Sequence, residues 1–144
     1  MKIEECMSTD VVWAPDNSNI NGIAKLMNDN DIGSVPICDS GKNVVGIITD
    51  RDIVIRCIAD DKETKTTKAA DIMSENLIFV TPKTDVQDAA EIMADYQVRR
   101  LPVIDDSKLV GVISIGDLAL EDDVEDEDIA DTLSSICDRR EDEE

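Results

Sequence analysis

Residues 46–52 read GIITDRD, and about 66 residues later residues 111–117 read GVISIGD. Each stretch holds a glycine, two apolar residues, a hydroxyl residue, two variable residues and an aspartate. The surrounding chain repeats too, since VPI at residues 35–37 returns as LPV at residues 101–103. A repeat fixes the unit of folding before any other feature is considered. Two similar halves with pseudo-twofold symmetry are therefore predicted, and a ligand site in one half should have a counterpart in the other.

The order of elements is the same in both halves. A strand is predicted at residues 11–13 and again at residues 77–80, ending at Pro15 and Pro82. A helix follows, with apolar residues at i, i+3, i+4 and i+7 that predict one buried stripe. The stripe consists of Ile20, Ile23, Ala24 and Met27 in the first half and of Val86, Ala89, Ala90 and Met93 in the second.

Two short β-type runs joined by a polar turn come next, which is typical of a hairpin. These runs are residues 35–38 and 44–48 in the first half, and residues 101–104 and 109–113 in the second. Another helix is predicted to begin at Asp52 and at Asp117. In the first half this helix carries the apolar residues Ile53, Val54, Ile55 and Ile58.

The predicted organisation has a first repeat at residues 1–59, a polar linker at 60–68 and a second repeat at 69–120. Residues 121–144 form an acidic segment with a C-terminal amphipathic helix. The apolar positions of that helix are Ile129, Leu133, Ile136 and Cys137. The acids lack the glycine and the terminal glutamate of an EF-hand loop, so solvated acids at a helix N-terminus are predicted rather than a calcium site.

The charge of the chain argues against nucleic acid as a partner. The 144 residues have a net charge of −20, and residues 119–144 alone hold 13 acids and 2 bases, a net of −11. This charge repels the phosphate backbone, and no basic stripe with interleaved aromatic residues offsets it. The chain is 42% hydrophobic with one tryptophan, one tyrosine and one phenylalanine, so its core must be aliphatic.

The four cysteines are scattered, without a CxxC pair: Cys6, Cys38, Cys57 and Cys137. Because the chain has no histidine, a zinc site would need thiolates alone or thiolates with carboxylates. We interpret the cysteines as small buried apolar residues of a reducing compartment, and we predict neither a metal nor a required cofactor. No signal peptide is recognised, and no apolar run approaches the about 20 residues that span a bilayer. A cytoplasmic protein without a membrane partner is predicted.

The repeated motif suits a ribose phosphate. A strand brings Thr49 or Ser114 to a turn where a helix begins, and free N–H groups with a hydroxyl donor favour phosphate there. Asp52 or Asp117, three residues on, can accept two hydrogen bonds from a ribose diol, because an ionised carboxylate is an acceptor only. The alternative is structural, with the aspartates as helix N-caps and the hydroxyls closing turns. The recurrence of the whole motif favours the ligand interpretation.

The doubled motif, with Val-Pro at residues 35–36 and Leu-Pro at residues 101–102, resembles a tandem pair of cystathionine β-synthase-type (CBS) domains, or Bateman module, over residues 1–118. The runs that resemble small stand-alone pairs of the hypoxic response protein type are residues 31–37, 49–55, 97–104 and 135–137. The resemblance implies an α/β (α+β) fold of two repeats packed sheet to sheet. It also implies clefts that bind adenosine nucleotides and association into a disc-shaped homodimer.

The resemblance further implies that each cleft is composite. The hydroxyl and the aspartate come from one repeat, and the adenine-contacting strand comes from the other. Site A would consist of Ile47, Thr49, Arg51, Asp52, Leu77, Ile78, Val98, Arg99 and Arg100. Site B would consist of Val11, Val12, Ile32, Gly33, Ser34, Ile113, Ser114 and Asp117.

The two implied sites differ in charge, since Arg99 and Arg100 of site A correspond to Gly33 and Ser34 of site B. An acidic protein must place local cations to hold a di- or triphosphate, and the planar fork of arginine suits phosphate oxygens. Site A is therefore predicted to be the better nucleotide site, and site B would hold a less charged ligand or stay empty. Salt bridges from these arginines to surface acids are the alternative.

Two functions are compatible with these residues. The first is a non-enzymatic regulatory or sensor module, in which AMP, ADP or ATP enters the cleft and alters binding to an unidentified protein partner. The alternative is a structural or protein-interaction CBS dimer that binds no nucleotide. An enzyme is not predicted and no catalytic residue is assigned, because histidine, a nucleophile with a recognisable base and a metal-ligand cluster are all missing from the sequence.

Overall fold

The structure is a computed structural model that describes residues 1–121 and 125–137. It is a mixed α/β fold with one three-stranded and one two-stranded sheet among these residues. The predicted fold class and the C-terminal helix are confirmed. The remainder of the predicted acidic segment, residues 122–124 and 138–144, lies outside the described residues.

The two hairpins and the helices before and after each of them follow the predicted order. The strands are β1 (Ala14–Pro15), β2 (Ser34–Cys38), β3 (Val44–Thr49), β4 (Arg100–Asp105) and β5 (Lys108–Ser114). The helices are α1 (Ile20–Asn30), α2 (Asp50–Asp52), α3 (Ala69–Ile72), α4 (Val86–Tyr96), α5 (Ile115–Ala119) and α6 (Asp126–Cys137). A 3₁₀ turn spans Ile3–Glu5, and a π-helical segment, Ile53–Ile58, continues α2.

The chain forms two compact units, and each unit combines most of one repeat with the opening segment of the other. The unit named here the α1 unit comprises residues 12–77 and 107–109. The α4 unit comprises residues 1–11, 78–106 and the described residues from 110 onward. The opening segment of the first repeat therefore belongs to the α4 unit, and that of the second repeat belongs to the α1 unit.

In the α1 unit, β2 is the central strand of the sheet. It lies parallel to β1 and antiparallel to β3. The N-cap of helix α1 is Asn19, whose side chain accepts a hydrogen bond from Gly22 N–H at 2.7 Å. Its side chains Ile20 and Ile23 are fully buried in one apolar cluster with Ile37 and other residues of the sheet.

Within the α1 unit, the opening segment of the second repeat (residues 69–77) is docked on the first repeat through backbone hydrogen bonds. Ala69 N–H donates to the Ser18 carbonyl at 2.8 Å. Ser74 exchanges two hydrogen bonds with Ile47 of β3, at 3.0 and 2.9 Å. The buried Thr67, within the predicted linker, accepts a hydrogen bond from the first residue of α1. The end of the linker is therefore part of the folded unit.

The α4 unit repeats this arrangement. Strands β4 and β5 form the second predicted hairpin. Ile3 N–H donates to the Thr84 carbonyl at 2.9 Å, and Ser8 exchanges two 2.9 Å hydrogen bonds with Val112 of β5. The predicted stripe of α4 is confirmed, because all four of its residues are buried in one cluster with Leu101. Each repeat is thus completed by the beginning of the other.

The predicted first strands are wrong in both halves. In the first half the strand is β1, because Ala14 and Pro15 pair with Ile37 and Cys38 of β2, whereas residues 11–13 form no strand. Proline is tolerated there because an edge strand leaves one side of its backbone unpaired. In the second half residues 77–79 form no strand, and Val80 forms an isolated β-bridge.

Two helices bury narrower stripes than predicted. Ala24 of α1 is exposed, and on α6 both Leu133 and Cys137 are exposed while Thr132 is buried. On α6 the buried positions are therefore i, i+3 and i+7. Such a narrow seam is what a helix buries when it packs chiefly on one neighbouring helix, here α4.

Gly46 and Gly111, the first residues of the two motifs, lie against the docked opening segment of the other repeat. A Cβ atom built on Gly46 meets the Met73 Sδ at 2.5 Å and the Ser74 carbonyl oxygen at 3.0 Å. A Cβ atom on Gly111 meets the Ser8 carbonyl oxygen at 2.8 Å. These glycines are therefore required by the approach of another backbone, which is a common reason for glycine within a strand.

We expect Gly111→Ala to lower the free energy of unfolding by about 2 kcal/mol, because the added methyl must displace a backbone carbonyl. Gly46→Ala should cost less, since the Met73 side chain can move. Urea denaturation followed by circular dichroism measures both. Gly116→Ala is the control: its Cβ would lie 3.6 Å from the nearest atom, and alanine favours the helix there. Wild-type stability of Gly111→Ala would contradict the docking of residues 6–8.

Candidate functional site

Each repeated motif forms a capping box at the start of a helix. At the end of β3, Thr49 Oγ1 accepts a hydrogen bond from Asp52 N–H at 3.1 Å, and Asp52 Oδ2 accepts one from Thr49 N–H at 2.9 Å. At the end of β5, Ser114 and Asp117 form the same two hydrogen bonds, each 3.0 Å long. The hydroxyl residue is the N-cap and the aspartate is the third helical residue. This corrects the alternative in which the aspartates were themselves the caps.

The capping box orients the groups of the motif without using all of their hydrogen-bonding capacity. In the first repeat, the Oδ1 atom of Asp52 takes no part in the box, and its side chain is 18% exposed. The Thr49 hydroxyl accepts a hydrogen bond in the box, so its own O–H remains a donor for another group. The structural and ligand-binding interpretations of the motif are therefore compatible. The box holds an acceptor suited to a diol beside a donor suited to a phosphate.

Arg56 contacts the motif of the first repeat and was missed by the sequence analysis. Its Nε lies 3.8 Å from Asp52 Oδ1, and its Nη1 donates to the Ile72 carbonyl at 3.2 Å. The guanidinium thus connects the aspartate to the end of the docked helix α3. Opposite charges four residues apart on a helix are the sequence signal that identifies such a contact.

Neighbouring strands in the α1 unit carry residues assigned to both implied sites. Ser34 pairs with Thr49 in the antiparallel register of β2 and β3, and the Gly33 carbonyl accepts from Asp50 N–H at 2.9 Å. The α4 unit contains the matching bond, from Ile115 N–H to the Arg99 carbonyl at 2.9 Å. Each unit therefore holds the hydroxyl and the aspartate of one implied site, next to a segment that was assigned to the other implied site.

The implied sites divide between the units as follows. Of site A, the α1 unit holds Ile47, Thr49, Arg51, Asp52 and Leu77, and the α4 unit holds Ile78, Val98, Arg99 and Arg100. Of site B, the α4 unit holds Val11, Ile113, Ser114 and Asp117, and the α1 unit holds Val12, Ile32, Gly33 and Ser34.

The assignment of Ile113 to site B is wrong. Its side chain has 0% exposure and belongs to the core of the α4 unit, so it offers no surface to a ligand. Val112 occupies the position that matches Ile47, because both residues pair with the serine of a docked segment. The second hairpin turn is one residue shorter than the first. Matching residues of the two repeats are therefore 66 positions apart before the turn and 65 positions apart after it.

The arginines of site A are exposed on the α4 unit. Arg99 Nη2 donates to Cys137 Sγ at 3.9 Å, and the neighbouring Gln97 side chain donates to the Ser135 carbonyl at 3.1 Å. Both contacts lie at the end of α6. Among the described residues, neither Arg99 nor Arg100 forms an ion pair within 4.0 Å with an acid of its own unit.

The cysteines only partly match the prediction of buried apolar residues. Cys38 and Cys57 are buried, Cys6 is half-buried and Cys137 is exposed. Burial raises the pKa of the Cys38 thiol to about 11, so this residue stays protonated at neutral pH. Burial also raises the pKa of Cys6, and the negative charges of Glu121 and Asp117 raise it further.

Both repeats match one protein-family model. The model described as the CBS domain matches residues 3–58 and again residues 69–122. The chain belongs to the CBS domain family. The predicted resemblance is therefore confirmed, and the protein contains a tandem pair of CBS repeats.

Two curated relatives of this CBS pair are of similar length. The CBS domain-containing protein YhcV of Bacillus subtilis is 35% identical over 118 residues, which cover 82% of this chain and 83% of the relative. Hypoxic response protein 1 of Mycobacterium tuberculosis is 31% identical over 115 residues, or 80% of each chain.

Solved structures of CBS proteins share the fold. Hypoxic response protein I, in a crystal structure with two coordinated zinc ions, has a TM-score of 0.76 and 30% identity, covering 83% of this chain and 97% of that one. The CBS domain pair of protein MJ0100, in complex with 5′-methylthioadenosine and S-adenosyl-L-methionine, has a TM-score of 0.72 and 28% identity. That match covers 83% of this chain and 93% of the other.

The described part of this CBS pair shows neither a metal-binding cluster nor a membrane-spanning helix. Residues 1–121 and 125–137 contain no group of three or more histidine, cysteine or acidic side chains placed to hold a metal ion. Within the same residues, no helix combines the length and the apolar character that a bilayer span requires.

We expect Thr49→Ala to lower the free energy of unfolding by about 1 kcal/mol, because the mutation removes the N-cap acceptor of the box. Thr49→Ser keeps that oxygen and should unfold at the wild-type urea concentration. The chain supplies a second test in Ser114→Ala and Ser114→Thr, which should behave in the same way. If the two alanine variants unfold with wild-type midpoints, the capping boxes do not stabilise the protein.

Proposed function

We propose that this CBS pair is a non-enzymatic regulatory module that binds an adenosine nucleotide, AMP, ADP or ATP, through the motif of Thr49 and Asp52. The observation that carries the proposal is the capping box, which orients a carboxylate and a hydroxyl with unused hydrogen-bonding capacity. Support comes from a related CBS pair of the same fold, which is known in complex with two adenosine compounds. CBS pairs are, moreover, generally regulatory.

The chemistry of the motif suits a ribose phosphate. Asp52 Oδ1 is an acceptor for the ribose hydroxyls, and the Thr49 O–H is a donor for a phosphate oxygen. In this proposal Arg99 and Arg100 are the phosphate-binding cations of site A, as the family resemblance implies. Their exposed guanidinium groups are the cations that a di- or triphosphate needs in a protein with a net charge of −20. Site B lacks these arginines and would take a less charged ligand.

A regulatory role requires that the ligand changes an equilibrium of the protein. A nucleotide does so only if it binds two arrangements with different affinity. In this proposal the affected equilibrium is association with another, unidentified protein. The unpaired cysteines suit a reducing compartment, so a cytoplasmic location is part of the proposal.

The pair is further proposed to form a homodimer through the helix that follows the first motif. Val54, Ile55 and Ile58 lie on the π-helical segment and are 58%, 44% and 54% exposed in the single chain. Only Cys57 of this segment is fully buried. Contiguous exposed aliphatic side chains commonly mark a protein–protein interface. The same patch favours the second candidate function, a dimeric interaction protein that binds no nucleotide.

We expect Ile55→Asp to convert the dimer into a monomer, because a charge in an apolar interface loses its hydration without gaining a partner. Size-exclusion chromatography with light scattering measures the mass. Leu133→Asp is the control, since Leu133 is another aliphatic residue exposed on the outer side of α6. A wild-type protein that is monomeric at micromolar concentration would refute the proposed dimer.

The nucleotide proposal predicts a rise in thermal stability with AMP, ADP or ATP. A ligand at a hundredfold excess over its Kd adds about 2.7 kcal/mol to the free energy of unfolding, which a thermal-shift assay detects easily. Asp52→Ala and Arg100→Ala should abolish or sharply reduce the shift, because each removes a ligand contact of site A.

Asp117→Ala is the matched control for that assay, since it breaks an identical capping box outside site A and should retain the shift. Loss of the shift in Asp117→Ala alone would overturn the assignment to site A. The absence of any shift with all nucleotides in the wild type would favour the interaction protein instead.

A further inference from the structure

The backbone of the motif is repeated, but the charge that follows it is not. Residues 49–56 carry two aspartates and two arginines, a net charge of zero. The matching residues 114–121 carry Asp117 and Glu121 and no base, a net charge of −2. The two motifs therefore present the same hydrogen-bonding groups in different electrostatic surroundings, neutral in the first motif and negative in the second.

The residue four positions after each aspartate accounts for the whole of this net difference. In the first motif that residue is Arg56, which contacts both Asp52 and the carbonyl of Ile72 in the docked segment. In the second motif it is Glu121, whose backbone N–H bonds to the Leu118 carbonyl at 3.1 Å at the end of α5.

Glu121 also acts electrostatically on the opening segment of its own unit. Burial raises the pKa of the Cys6 thiol, and the negative charges of Glu121 and Asp117 raise it further. Cys6 and Ile72 are matching positions of the two repeats. The two residues at the fourth position are therefore each one helical turn from the aspartate of their motif, and they carry opposite charges.

A ribose held by either aspartate places its 5′ substituent within reach of this charge. Unit charges about 8 Å apart near a protein surface interact appreciably, even though salt weakens the interaction. Beside Asp52, the Arg56 guanidinium offsets the repulsion between the carboxylate and a phosphate. Beside Asp117, Glu121 adds to that repulsion and favours an uncharged or positively charged 5′ substituent.

We propose that Arg56 and Glu121 determine the charge class of the adenosine ligand in their respective motifs. Arg56 admits a phosphorylated adenosine to the Thr49–Asp52 motif. Glu121 restricts the Ser114–Asp117 motif to adenosine compounds without a phosphate, such as a thioether or a sulfonium. This inference rests on the proposed function and assigns specificity to two residues outside both implied sites. Arg56 and Glu121 are specificity and positioning residues, and neither is required to touch the ligand.

The test measures the ratio of two affinities by isothermal titration calorimetry, with ATP and 5′-methylthioadenosine as probes. Asp117→Ala removes binding at the second motif, so that only the first motif is measured. In that background Arg56→Glu should lower the affinity for ATP relative to 5′-methylthioadenosine about tenfold. Arg56→Lys keeps the charge and should retain most of the wild-type ratio. Asp52→Ala isolates the second motif, where Glu121→Arg should raise the same ratio about tenfold.

The ratio of affinities separates a change in specificity from a structural effect, because a destabilised fold lowers the affinity for both ligands together. If either charge exchange changes the ratio by less than twofold while the ligands still bind, the inference is wrong and the proposed function stands. If neither probe binds the wild-type protein, the proposed function fails and the inference fails with it.

Discussion

Two close backbone approaches, at Gly46 and Gly111, hold each unit of this protein together. At both places the opening segment of one repeat lies against a hairpin strand of the other, closer than a side chain would allow. The same segments bring Ile3 and Ile72 into the two apolar clusters, where both are buried. The motif glycine is therefore a packing residue. It lets the docked segment close the unit from which the hydroxyl and the aspartate emerge.

The capping boxes show how one arrangement of residues serves stability and a proposed function together. A hydroxyl N-cap and an aspartate three residues later are sufficient to start a helix. The same geometry fixes the orientation of a carboxylate at the end of a strand. The two boxes are nearly identical in their hydrogen bonds, so any difference between the motifs must come from the charges around them. Asp50 and Arg51 cancel within the first motif, so the net difference comes from Arg56 and Glu121, four residues after the two aspartates.

The sequence predicted the hairpins and the α4 stripe, because turns and apolar periodicity are local signals. It failed where partners are distant along the chain: the apolar run at residues 11–13 is not a strand, and Ala24 is exposed. Ile113 was misassigned because a shorter turn shifted the register of the repeat, which turns a side chain to the opposite face of a strand. Arg56 was missed, although its spacing from Asp52 is visible in the sequence.

The exchange of opening segments also governs when the protein can fold. Ile3 and Ile136 belong to the same apolar cluster, so the α4 unit joins residues from the two ends of the described chain. Contacts between residues so far apart in sequence form slowly, because a long loop must close first. During synthesis Ile3 therefore lacks its apolar contacts until the second repeat has been made. An unfinished chain would expose the apolar surface that its own second repeat is meant to cover.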